Sequence, residues 1–387
     1  MENYQVIWRG PVLDSTGYGA ASREYALSLH RQGLDIKIET YTWGYPSKSI
    51  EKDKREQLLI LMNKPIAIDK QKLLILHSPP GNIDLEEDRQ KFSRTILYTA
   101  WETTKIPKPM IPAIQSFDAV CVPSFQNIET LINSGVDIPL YHVPHGADTK
   151  MFTPGNKKSS LNNANGRFVF VSIFDFIHRK NPETLLRAYW EEFSSNDPVL
   201  LLIKTYGDSR KKIISKVNQY KRLLGYGNET APLVIITGII GEEELKGIYT
   251  LGNVFVLPTR GEGAGLPFME ALSSGLPVIS TGWGGQMDFI HEQNSFLVDY
   301  ELSPIKNRMN NEHAIAPFKN ELVENEKEWW AEANVTDLKK QMRYAYKNPE
   351  LCKQKGERGR RDMLKMTWDQ AGETLKHVII DVIGSRA

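Results

Sequence analysis

Val254-Phe-Val-Leu-Pro258-Thr-Arg-Gly261-Glu262-Gly-Ala264-Gly265-Leu-Pro267-Phe-Met-Glu270-Ala-Leu-Ser-Ser-Gly275-Leu-Pro277-Val-Ile-Ser280-Thr reads as a strand, a glycine-rich loop, a helix and a second strand. Pro267 suits the first turn of a helix and Gly275 its end, so the stretch is a β-loop-α-β unit. The loop glycines allow backbone to come close to a ligand. The helix start offers unpaired N–H groups and the positive end of a dipole, a seat for a phosphate. Glu262 and Glu270 flank that seat. Carboxylates there would repel a phosphate, so their chemical use is to accept hydrogen bonds from the hydroxyls of a sugar and a ribose. The spacing by itself also fits a solvated loop charge and an exposed helix residue.

Outward from this unit, short runs of Val, Ile and Leu alternate with longer amphipathic segments, the pattern of parallel sheets covered by helices on both faces. The first series of strands is expected at Val6–Trp8, Leu34–Ile38, Leu73–His77, Ile96–Thr99, Ala119–Val122 and Leu140–Val143. After a polar linker from Pro154 to Gly166, a second series is expected at Phe168–Ile173, Val199–Ile203, Leu233–Thr237, Val254–Leu257 and Val278–Ser280. The expected domains are residues 1–153 and 154–368, with a final helix, 369–387, returning to the first. Residues Asn307 to Glu332 break the rhythm and read as an insertion or extended surface loop. Helical patterning resumes at Val335–Tyr346 and near the end, from Asp369 to Ile383.

Composition narrows the function. The 387 residues suit two domains, and 48 Lys plus Arg against 47 Asp plus Glu leave a net charge of +1, with no global reason to bind nucleic acid. Cys121 and Cys352 stand far apart, so neither a disulfide framework nor a zinc site is expected, and a reducing compartment fits. The start lacks the basic and apolar pattern of a signal peptide, and no apolar run approaches the roughly 20 residues that span a bilayer. The expectation is a cytoplasmic protein with, at most, peripheral contact at the inner membrane face. The basic cluster Arg210-Lys-Lys212, Lys216, Lys221 and Arg222 reads as the wet face of a helix.

The segment Glu262-Gly-Ala-Gly-Leu-Pro-Phe-Met-Glu270-Ala-Leu-Ser-Ser-Gly-Leu-Pro-Val-Ile resembles the E-x7-E signature of the retaining family-4 glycosyltransferases, the glycosyl transferases group 1. The resemblance implies the GT-B fold, two Rossmann-like doubly wound α/β domains facing a central cleft. It implies that Glu270 holds the nucleotide ribose, that Glu262 contacts the transferred sugar, and that backbone near Ala264, Gly265, Leu266 and Pro267 meets sugar hydroxyls and diphosphate. Ser172-Ile-Phe-Asp-Phe-Ile-His-Arg179-Lys180-Asn-Pro is similar to the family segment whose Arg and Lys grip the leaving diphosphate. Its alternative reading is a basic helix entrance capped by Asn181. Lys204 and Ile240 occupy places where relatives hold phosphate and nucleobase.

In the first half, Gly10-Pro-Val-Leu-Asp-Ser-Thr-Gly17-Tyr-Gly19 resembles the family's glycine-rich loop beside the diphosphate and acceptor, although a tight turn explains a lone Gly-x-Gly as well. Many relatives carry a histidine near the transferred sugar, where this chain reads Tyr98-Thr-Ala-Trp101-Glu102-Thr103. Glu102 is the candidate to take over that contact, while Trp101 also reads as packing. His77, at a strand end, and His145, in Pro144-His-Gly-Ala-Asp148, are second-rank candidates; His142 reads as structural.

The resulting expectation is a metal-independent retaining hexosyl- or other glycosyltransferase that takes a UDP-, GDP- or ADP-sugar and a glycan, lipid-linked or protein acceptor. The sequence contains no Asp-x-Asp pair, so the leaving-group charge falls to Arg179, Lys180 and a helix N-terminus. No cofactor is expected. Two rivals remain: a catalytically silent sugar-nucleotide-binding scaffold, and a Rossmann-type oxidoreductase, which lacks its G-x-G-x-x-G followed by an acid.

Overall fold

The computed structural model describes residues 2–385 except 48–49, 82, 84, 86–89, 228 and 306–327. The chain divides into two compact units, Met1–Gly146 with Met366–Ala387, and Ala147–Lys365. The division falls ahead of the expected linker. Pro154–Gly166 lies wholly in the second unit, where the Ser159 N–H donates to the Gly247 carbonyl at 2.9 Å.

The first unit is built on β1 (Tyr4–Gly10), β2 (Ile36–Thr40), β3 (Gln71–His77), β4 (Arg94–Tyr98), β5 (Ala119–Val122) and β6 (Leu140–His142), in the order β2-β1-β3-β4-β5-β6. Every pairing is parallel. The runs Val6–Trp8, Leu73–Ile75 and Ile96–Tyr98 are buried because helices cover both faces, which is why they read as unbroken apolar stretches. The helix Trp368–Gly384 completes the unit through a Thr367 capping box, an Arg31–Asp369 ion pair at 2.5 Å and a bond from Arg94 Nε to the Val382 carbonyl.

The second unit contains β7 (Phe168–Asp175), β8 (Val199–Tyr206), β9 (Leu233–Thr237), β10 (Val254–Leu257), β11 (Val278–Thr281) and β12 (Ser295–Val298), all parallel, in the order β12-β11-β10-β7-β8-β9. The strand order reverses between β7 and β10. In open α/β sheets, ligands sit beyond the carboxyl ends of the strands at such a switch point.

Part of the expected surface loop is not a loop. β13 (Tyr300–Pro304) pairs antiparallel with β14 (Trp329–Ala333), setting Ser303 opposite Trp330 and Glu301 opposite Glu332. Trp330 is buried with Ile305, and Trp283 packs against them. The rest of the expected insertion, 307–327, lies outside the described residues. No helix among the described residues is long and apolar enough to cross a membrane.

Candidate active site

Three segments at the carboxyl ends of β7 and β10 bring charged side chains together. After β7 the chain makes a 3₁₀ turn, His178–Lys180, and Asn181 takes a left-handed conformation with φ 57°. Asn181 then caps the helix Pro182–Glu192, its side chain accepting the Thr184 N–H, with Pro182 at the first helical position. The basic helix entrance and the cation pair are therefore one structure: the cap fixes the turn that carries Arg179 and Lys180.

After β10, Thr259, Arg260, Gly261 and Glu262 are all buried. Glu262 is only 5% exposed, yet it is surrounded by donors. Its Oε1 lies 2.5 Å from Lys180 Nζ and accepts the Thr259 hydroxyl at 2.9 Å; its Oε2 lies 3.6 Å from Arg179 Nη1. Burial would raise the pKa of this carboxyl, but the Lys180 and Arg179 charges outweigh it and hold Glu262 below the usual carboxylate range. It is an anion fixed between two cations. Arg179 also donates to the Gly261 carbonyl at 2.5 Å, so the turn and the loop hold each other.

Gly265 caps the helix Leu266–Ser273 with φ 93°, where a Cβ would lie 2.9 Å from the Phe268 ring. Both facts call for glycine. Ala264 is buried, while Leu266 and Pro267 at the helix start are part-exposed. Along the same helix, Glu270 is half-buried and its Oε2 accepts the Tyr249 hydroxyl at 2.6 Å. Burial pushes the Glu270 carboxyl up to about 7, against the Tyr249 hydrogen bond and the Lys204 charge, while Asp148 adds to the rise. Lys204, in β8, is 8% exposed; burial lowers its pKa against the opposing charges of Glu270, Glu244 and Asp175. Ile240 is half-buried in the turn before the helix Glu242–Leu251.

Sequence reasoning missed Arg260. Its guanidinium lies 2.6 Å from Glu332 Oε1 through Nε and 3.7 Å from Glu183 Oε2 through Nη1. Nη1 also donates to the His178 carbonyl, and the Trp330 ring centroid is 5.5 Å from the guanidinium carbon. Its main chain joins the same parts, donating to the Arg179 carbonyl at 2.8 Å and accepting the Ala331 N–H at 2.9 Å. The hairpin β13–β14 is thereby tied to the cation turn. An arginine one residue before the glycine loop was the available signal.

The first unit holds the other candidates. Gly17 and Gly19, expected in a loop, lie instead in the first turn of the helix Gly17–Arg31, with Thr16 as cap accepting the Gly19 N–H. Gly17 is exposed. A Cβ at Gly19 would lie 2.3 Å from the Asp14 carbonyl oxygen, so that position requires glycine by close approach. Tyr18, between them, accepts the Ala100 N–H at 3.0 Å and packs 5.0 Å from the His77 ring. Burial and the Glu102 carboxylate raise the Tyr18 pKa far above its ordinary value. Glu102 is half-buried, while Trp101 packs in the core and donates from Nε1 to Thr103.

His77 is 2% exposed among Trp8, Tyr18 and Tyr98, and its Nδ1 has no hydrogen-bond partner. Burial lowers its pKa far below the ordinary value, so it is neutral. His145 stacks on Tyr98 with 5.9 Å between ring centroids, its Nδ1 3.2 Å from the Tyr98 hydroxyl, and burial lowers its pKa to about 3. His142 packs on Phe125 with ring centroids 4.0 Å apart.

Residues 165–306 match the family model of the glycosyl transferases group 1. The chain is 29% identical over 178 residues to a GDP-mannose-dependent alpha-mannosyltransferase of Corynebacterium glutamicum, an alignment covering 46% of this chain and 39% of that protein. The match thus spans well under two thirds of the relative. Two solved structures share the fold from end to end at low identity. The sucrose-phosphate synthase of Thermosynechococcus elongatus superposes with a TM-score of 0.68 at 16% identity, over 99% of this chain and 100% of that one. HepE of Anabaena, in complex with UDP and glucose, gives a TM-score of 0.62 at 10% identity, over 97% and 99%. The two six-stranded parallel sheets are those of the GT-B fold.

Proposed function

We propose that this chain, whose residues 165–306 match the family model of the glycosyl transferases group 1, moves a sugar from a nucleotide-sugar donor to an acceptor with retention of anomeric configuration. The observation that carries this reading is the ionised Glu262 held between Lys180 and Arg179 at the β7/β10 switch point, one turn of chain before a helix capped by Gly265.

Bond breaking leaves an oxocarbenium-like sugar and a nucleoside diphosphate on which negative charge grows. Lys180 and Arg179 stabilise that charge, together with the Leu266 N–H at the helix start, in a buried setting where fixed charges need no reorganisation. Glu262 orients the two cations and accepts from sugar hydroxyls. Glu270, held by Tyr249, accepts from the ribose hydroxyls, while Lys204 and the turn at Ile240 face the nucleotide. Metal is dispensable, because these cations supply the charge that a divalent ion would supply elsewhere. The two thiols, both buried and unbridged, suit a reducing cytoplasm.

GDP-mannose is the first donor to try, given the Corynebacterium relative. A thermal-shift screen over UDP-, GDP- and ADP-sugars, followed by transfer assays and NMR of the first-formed product, tests the reading. Binding of a donor with a retained linkage is expected. An inverted linkage, or no donor binding at all, overturns it.

A further inference from the structure

The second unit holds a cavity of about 410 Å³ whose walls include none of the residues discussed as the donor site. It is framed by Trp190 near the end of the helix Pro182–Glu192, by Arg210 and Lys221 on the helix Arg210–Leu223, and by Leu233–Ile235 of the edge strand β9. Its volume lies within the range of roughly 300–1,000 Å³ of small-molecule sites.

Three observations give the cavity a chemistry. Trp190 is 4% exposed and its Nε1–H has no acceptor, although buried donors are nearly always paired. Lys221 Nζ sits 5.7 Å from the Trp190 ring centroid, and burial lowers its pKa. Neither Lys221 nor Arg210 has an ion pair among the described residues. Asp208 pairs with Lys212 and Lys216 at 3.4 and 3.5 Å, and Glu191 with Arg187 and Lys339 at 2.6 and 3.1 Å. Two cations and an orphan N–H donor therefore border a pocket of mixed lining, with Asn218 and Thr230 beside Ile214, Val217 and Leu233.

We propose that this cavity is a binding site for a small organic oxyanion, a phosphate or carboxylate carried on an aromatic or apolar body. Arg210 and Lys221 neutralise the oxyanion, the Trp190 N–H supplies a directed bond, and the side chains of Ile214, Val217 and Leu233 take the body. A neutral body lacks the charge that the two cations call for, and inorganic phosphate lacks the body that the walls call for. The site does not depend on the glycosyltransferase reading. The same chemistry is found in a soluble metabolite and in an anionic lipid headgroup.

The test is calorimetry of the full chain with phenyl phosphate and with benzoate, using phenol and inorganic phosphate as controls. At least one of the two aromatic anions is expected to bind saturably with Kd below about 1 mM. That binding should weaken at least tenfold in the folded double variant Arg210→Gln/Lys221→Gln, weaken in Trp190→Phe, and stay unchanged in Lys180→Gln. Vesicles of phosphatidic acid separate the sources. Vesicle binding that the aromatic anion displaces marks a lipid headgroup, and anion binding without vesicle binding marks a soluble ligand. The proposal is overturned if neither anion binds, if phenol binds equally well, if the double variant binds like the native chain, or if vesicles bind without competition from the anion.

Discussion

Lys180 Nζ lies 2.5 Å from Glu262 Oε1, and both side chains are buried at the switch point of the second sheet. A buried pair of this kind matters chiefly when one partner is removed, because the other is left as an uncompensated charge. Lys180→Ala is expected to lower turnover at saturating donor by about 10²–10³, the scale for one preorganised electrostatic group. Donor affinity should fall by less. Steady-state kinetics beside calorimetry with donor and nucleoside diphosphate separate the two effects, and Lys180→Ala/Glu262→Gln controls for the stranded carboxylate. Unchanged turnover in folded Lys180→Ala would remove Lys180 from the chemistry.

Glu270 gives a pH prediction with a definite sign. Its carboxyl is raised from 4.5 to about 7 in the fold, so between those values the folded chain keeps a proton that the unfolded chain releases. Stability therefore falls as pH rises through that window and levels off above it. Glu270→Gln removes this loss and should be more stable than the native chain at pH 8, by up to about 3 kcal/mol, with the gain vanishing near pH 4.5. Glu328, also raised to about 7 by burial, shifts both proteins alike, so the difference between their denaturation midpoints isolates Glu270. The same variant should bind a nucleoside diphosphate more weakly if the carboxylate holds the ribose. A constant stability difference across pH would place the titration elsewhere.

Much of this arrangement can be read in the sequence, for reasons visible at particular residues. β5 and β10 fall at Ala119–Val122 and Val254–Leu257, as expected, because strands buried on both faces leave short apolar runs with sharp ends. β9 also falls at Leu233–Thr237, as expected, although this edge strand is part-buried throughout. β7 and β8 run on to Asp175 and Tyr206, past their apolar cores, since ladder bonds do not depend on side-chain polarity. β12 was missed, and so was the hairpin β13–β14. Tyr300 and Leu302 are exposed, so β13 has no buried face to leave an alternation, and its partner lies far along the chain. The Glu262 environment is the converse case. Lys180 and Glu262 are separated by 82 residues, and the E-x7-E spacing gives no sign that the first glutamate binds the cations rather than solvent.

If Arg179 and Lys180 supply the leaving-group charge, as proposed, transfer is independent of divalent ions. With any donor that proves active, the initial rate should be the same in EDTA as with added magnesium or manganese. A complete loss that manganese reverses would assign leaving-group stabilisation to a metal instead.

Arg260 joins the hairpin to the cation turn through both its side chain and its main chain, so its removal separates anchoring from chemistry. Arg260→Ala keeps the two backbone bonds, to Arg179 and from Ala331, but deprives Glu183 and Glu332 of their guanidinium and opens space beside Trp330. A loss of roughly 3 kcal/mol in stability follows, as for breaking a buried charged network. Glu332→Gln, at the part-exposed rim, should cost about 1 kcal/mol or less. If Arg260 acts by holding the turn, Arg260→Ala lowers kcat while leaving KM for the donor nearly unchanged, because Lys180 and Arg179 remain but are less well placed. Arg260→Lys should recover only part of both losses, since an ammonium cannot bridge Glu332, Glu183 and the His178 carbonyl as a planar fork does. Chemical denaturation and kinetics on these three variants decide the matter: native turnover in a destabilised Arg260→Ala would make the hairpin a structural brace with no hold on the catalytic turn.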